Sequence, residues 1–99
     1  MDILLAKASG LATAEFEVRK DAQLGKGSLP VTLFLVGSVE SGKAVTVEYN
    51  SEGTTWVQCK VDGVNITLDA NTNIRTLYGP GTYRVSRAAD AGTVGVLIA

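Results

Sequence analysis

The sequence predicts an all-β fold, a single antiparallel β-sandwich or closed β-barrel of about eight short strands. Three observations predict it. Apolar residues recur with a period of two along most of the chain, and nowhere do they hold the i, i+3, i+4, i+7 spacing of an amphipathic helix for three turns. Clusters of Gly, Asn, Asp and Ser break the alternation every ~8–12 residues, the rhythm of short strands joined by tight turns. The 99 residues, 45% hydrophobic and 19% charged, supply apolar material for one core but not for a second, so residues 1–99 are expected to form one domain.

Residues 1–10 carry Ile3, Leu4 and Leu5 and are expected as an N-terminal arm or an edge strand. Residues 12–19 alternate cleanly, with Ala12, Ala14, Phe16 and Val18 on a dry face and Thr13, Glu15, Glu17 and Arg19 on a wet one. Residues 20–28 have no period and two Gly, which predicts the longest loop, closed by Pro30. Residues 31–36 are apolar on both faces, the pattern of a central strand held between layers or covered by a partner. Residues 37–42 are expected as a turn. Val45, Val47 and Tyr49 share one face of the next strand, and residues 50–53 turn it into a hairpin with residues 54–61.

Asp62-Gly63 is the strongest hairpin signal, because both central positions of a type I′ turn need positive φ. Val64, Ile66 and Leu68 follow on one face, and residues 69–73 turn again. A short strand at residues 74–78 is broken by Gly79-Pro80-Gly81, and residues 82–86 and 93–98 complete the set, joined by residues 87–92. Tyr78 and Tyr83 flank the Gly-Pro-Gly turn and are expected to stack across a hairpin there. The expected core comprises Phe16, Val18, Leu33, Leu35, Val45, Val47, Val57, Cys59, Ile66 and Val85.

The chemistry available is narrow. Nine basic against ten acidic residues give a net charge of −1, which predicts neither a nucleic-acid partner nor attraction to an anionic membrane. With no His, the commonest general base and zinc ligand are missing, and Cys59 is expected as a buried core thiol with no imidazole to activate it. Glu15 and Glu17 beside Arg19 fit a solvated stripe better than a carboxylate pair. Asp62, Asp69, Asn71 and Asn73 belong to two separate turns, where such residues are favoured for backbone reasons, rather than to a calcium loop. No glycine-rich phosphate cradle precedes a helix. The expectation is a non-enzyme with no cofactor and no metal. An acid at Asp2 and a short apolar run give no export signal, and no run approaches the ~18 residues of a membrane helix, so the protein is expected in a cytoplasm.

The stretch from Val45 to Trp56, the run Leu77-Tyr78-Gly79-Pro80-Gly81-Thr82-Tyr83-Arg84-Val85 and the small-residue ending Val94-Gly95-Val96 resemble small β-rich virion proteins of tailed bacteriophages. Gly53-Thr54-Thr55-Trp56 is also similar to the end of an Asp-box hairpin, but Ser51 stands where the Asp belongs, which removes any claim on a glycosidase-like propeller. The phage resemblance implies a structural virion component made in the host cytoplasm, a capsid decoration or cement protein bound to the major capsid lattice. Its partners would be capsid or other virion proteins and further copies of itself, with a trimer as the first expectation. Ile3, Leu4, Leu5, Trp56, Tyr78 and Tyr83 are the candidate partner-binding residues. Two other roles fit the same pattern: a tail or head-fibre module whose glycan groove would hold Trp56, Gln58 and Asn65, and an immunoglobulin-like interaction domain.

Overall fold

A computed structural model describes residues 1–20 and 28–99. Among these, regular structure is all strand: β1 (Asp2–Ala8), β2 (Ala12–Lys20), β3 (Ser28–Leu29), β4 (Val31–Val39), β5 (Val45–Ser51), β6 (Thr55–Gln58), β7 (Lys60–Val61), β8 (Val64–Asn65), β9 (Thr67–Leu68), β10 (Ile74–Leu77), β11 (Gly81–Arg87) and β12 (Gly92–Ile98). They form a four-stranded sheet in the order β1-β12-β4-β10 and a second sheet in the order β3-β2-β11-β5-β6, with β9 also paired to β5 and a small β7-β8 hairpin beside them. Every pairing is antiparallel, and both main sheets stay open at their edges. Of the two expected architectures the chain therefore adopts the sandwich.

Alternation decides what lies between the sheets. From the larger sheet Phe16, Val18, Val45, Val47, Leu68 and Val85 point inward, and from the smaller one Leu5, Leu33, Leu77, Val94 and Val96 meet them. Cys59 joins this core from the break between β6 and β7. There its N–H donates to the Val47 carbonyl at 2.9 Å while its own carbonyl accepts from the Ile66 N–H at 2.8 Å. Leu35, Ile66 and Val57 are only partly buried.

The punctuation acts largely as expected. Glu52 and Gly53 have φ of 60° and 82° in the β5-β6 connection, and Asp62 and Gly63 have 53° and 79° between β7 and β8. Asp69 caps its turn, accepting the Asn71 and Thr72 N–H groups on Oδ1 at 2.8 Å each. The loop expected at residues 20–28 falls mostly on 21–27, outside the described residues.

Three expectations need correction. Residues 37–39 are not a turn: β4 continues to Val39 because β12 pairs with it along its whole length, with Gly37 at φ 92° opposite Val94. Arg87 is not in a connection but ends β11 on its inward face, 5% exposed. Tyr78 and Tyr83 do not stack across a hairpin, because β10 and β11 belong to different sheets. Tyr83 instead stacks on Phe16 with ring centroids 5.7 Å apart, and its hydroxyl donates to the Gly79 carbonyl at 2.7 Å. That bond back across the Gly-Pro-Gly corner is a tyrosine corner, a device that fixes the crossing between the sheets of sandwich domains.

Candidate functional site

Charge and burial separate three surfaces. The outer face of the larger sheet is polar: Arg84 donates from Nε to Glu48 at 3.0 Å and its guanidinium lies 4.5 Å from the centre of the Trp56 ring. Trp56 thus spends one face on a cation. Gln58 turns away from it, donating from Nε2 to the Val47 carbonyl at 2.9 Å, and Asn65 lines a cavity beside Val61, Val64 and Arg75. The three residues expected to share a glycan groove thus have different partners: Trp56 the Arg84 guanidinium, Gln58 backbone carbonyls, and Asn65 the lining of that cavity.

The outer face of the smaller sheet is the opposite in character. Register places Ile3 beside Leu97, Leu97 beside Phe34, and Phe34 beside Ile74, one apolar side chain from each of the four strands. Phe34 sits one residue from the fully buried Leu33, so this row necessarily faces away from the core. Ile3 is 70% and Ile74 53% exposed. Val36 extends the row, and Thr32 and Thr76, whose hydroxyls lie 3.0 Å apart, border it without adding charge. An outward sheet face is ordinarily solvated and polar, so four apolar side chains in register across every strand set this face apart from the rest of the surface.

The third surface is a groove at the open side of the sandwich. A cavity of about 380 Å³ is walled by Tyr49, Tyr78, Tyr83, Cys59 and Lys60 among others, and a neighbouring one of about 240 Å³ shares Val61, Ile66, Thr76 and Leu77 with it. Burial, with Glu48 adding to it, holds the Cys59 thiol above its ordinary value, the reverse of what a nucleophile needs. Burial likewise raises the Tyr83 phenol, and it is already committed to Gly79. Among the described residues no three His, Cys, Asp or Glu side chains gather as metal ligands.

Of the six candidate partner residues, the fold brings Tyr78 and Tyr83 together at the groove and leaves Ile3 on the apolar row. Leu5 is core, and Leu4, at the bulge between Ile3 and Leu5, packs against the core, so neither is offered to a partner. Trp56 stands alone on the polar face. Phe34, Leu97 and Ile74 were missed, although the two-sided apolar pattern of residues 31–36 already signalled that β4 has an outer face to cover. The fold and this surface define a small antiparallel β-sandwich presenting one apolar sheet face. Compared with family models, curated proteins and solved structures, the chain matches none of them.

Proposed function

We propose that the protein is a non-catalytic structural module that docks onto a larger protein through the outer face of its four-stranded sheet, and that its setting is the particle of a tailed bacteriophage, as a decoration protein on the capsid lattice. The observation that carries the docking reading is the row Ile3, Leu97, Phe34 and Ile74 across all four strands. An uncharged apolar face on a chain of net charge −1 suits attachment by shape and desolvation rather than by ionic pairing. The phage setting rests on the sequence resemblance alone. Copies set around a symmetry axis of the lattice would each turn this face to the capsid, and a trimer remains the first assembly to look for.

The test is binding to tailed-phage particles of the chain's own genomic source, with Phe34→Glu as the comparison. The native protein should saturate symmetric positions on the capsid, and the variant should keep its β-sheet circular dichroism while losing occupancy. Native protein that ignores capsids and tails at saturating concentration sinks the phage setting. Occupancy that is indifferent to Phe34→Glu removes the sheet face from the mechanism.

A further inference from the structure

We propose that the groove along the free edge of β10 receives an extended peptide strand whose alternate side chains are apolar and whose ends carry carboxylates. This goes beyond the docking reading and does not depend on it.

The backbone of β10 sets the geometry. The Leu35 N–H donates to the Asn73 carbonyl at 2.8 Å, so residues 73, 75 and 77 spend their backbone groups on β4 and the alternate residues do not. The N–H and C=O of Ile74 and Thr76 consequently point away from the sheet, and no other described residue bonds them. The opposite edge of the same sheet is protected: β1 shifts register twice and carries Lys7. β10 has neither defence by bulge nor shift, pairing residue for residue with β4.

Beside this open edge lie the two cavities of about 380 and 240 Å³, which share Val61, Ile66, Thr76 and Leu77. A strand added to β10 sends alternate side chains to the same side, here into those apolar pockets. Charge fixes the ends. Lys60 and Arg75 are among the lining residues, and among the described residues no Asp or Glu lines either cavity; Asp62 sits at the tip of the adjoining hairpin. Neither cation forms an ion pair with a described carboxylate at salt-bridge distance, and Lys60 is the freer of the two: Arg75 donates from Nε to the Thr67 carbonyl at 3.0 Å and its charge also acts on Asp69. A peptide with acidic flanks therefore complements the rim, and a basic one is repelled.

The probe is an acetylated heptapeptide with glutamate at both ends, valine at the third and fifth positions and threonine at the second, fourth and sixth, so that the glutamates share the face of the valines, set against the same peptide with lysine ends. Titrated into the full chain, the acidic peptide should slow amide exchange of Ile74 and Thr76 about tenfold or more, since new hydrogen bonds close those two amides. Thr76→Pro removes the outward donor while sparing the bonds to β4, and should abolish binding. Lys60→Glu, a rim change that leaves the backbone alone, should reverse the preference between the two peptides and decides the matter if the proline variant does not fold. The proposal is overturned by absence of binding up to millimolar peptide, by binding that leaves the two amides unprotected, by equal affinity for both peptides, or by sedimentation showing that the edge pairs with a second copy instead.

Discussion

Arg87 is the residue whose placement has the largest energetic consequence. It is a cation held 5% exposed with no carboxylate bonded to it among the described residues. Its Nε donates to the Gly10 carbonyl at 2.7 Å, and Nη1 donates to Ala6 at 2.9 Å and Val94 at 2.8 Å. A guanidinium on β11 thus ties together β1, the turn after it and β12, closing one end of the sandwich. Replacement by Ala would leave three carbonyls unmet, each a desolvated acceptor, and should cost about 3 kcal/mol or more in urea unfolding. Lys cannot reproduce the fork and should recover only part of that. The signal was in the alternation, because Val85 inward implies Arg87 inward, but charge alone suggests a surface connection.

Asp69 yields a pH dependence. The Thr72 N–H bond, helped by Asn71, the Thr67 hydroxyl and the charge of Arg75, holds its carboxyl below the ordinary carboxylate value against a desolvation that pushes the other way. A depressed folded value means the carboxylate contributes stability above the unfolded pKa of about 3.9 and loses it as pH falls through the folded value. Between neutral pH and about pH 4 the native protein should hold its margin over Asp69→Ala, about 1 kcal/mol, and the two denaturation midpoints should converge below that. A constant difference down to the most acid pH at which both fold would mean that the turn does not sense the charge.

At the scale of elements, the junction of β1 with β12 leaves no room for a side chain at Gly95. A Cβ on Gly95 would stand 2.6 Å from the Leu5 carbonyl oxygen and 2.7 Å from the Lys7 nitrogen, both backbone atoms of the bulged β1. Backbone cannot rotate aside, so Gly95→Ala should lift β1 off its neighbour, seen as loss of amide protection along β1 while β2, β5 and β11 keep theirs. Protection unchanged in β1 would contradict the close approach. On β4, Leu33→Ala should cost about 2–5 kcal/mol because the side chain is wholly buried, and Leu35→Ala less, since Leu35 is only partly so.

These elements also show what was legible. Residues 12–19, the Asp62-Gly63 turn and the Asp69 turn follow from local chemistry, a period of two and residues that tolerate positive φ or cap their own backbone. Pairing was not legible. β11 lies between β2 and β5, and β4 between β12 and β10, so strands far apart in sequence meet. A single sequence carries no register between distant segments. The apolar row depends on three such registers at once. The residues of β4 are apolar on both faces in the sequence itself, but Ile3, Leu97 and Ile74 become their neighbours only through pairing.

For the molecule as a whole, two surfaces of unlike chemistry lead to opposite dependence on salt. The outer row on β1, β12, β4 and β10 has no charge in its centre, so docking through it should change little, or tighten slightly, as salt rises, since added salt screens ions but does not weaken apolar burial. The β10 groove is rimmed by Lys60 and Arg75, and acidic peptide held there should loosen by roughly a few-fold between low and physiological ionic strength, where the Debye length shrinks to about 8 Å. Phe34→Glu should abolish the first interaction and spare the second, because Phe34 lines the outer face and neither cavity. Lys60→Glu should do the reverse. Particle attachment and peptide titration, each measured with both variants at two salt concentrations, then separate the surfaces. Attachment that collapses with salt, or is lost with Lys60→Glu, would place the large-partner contact at the groove and leave the apolar row without a role.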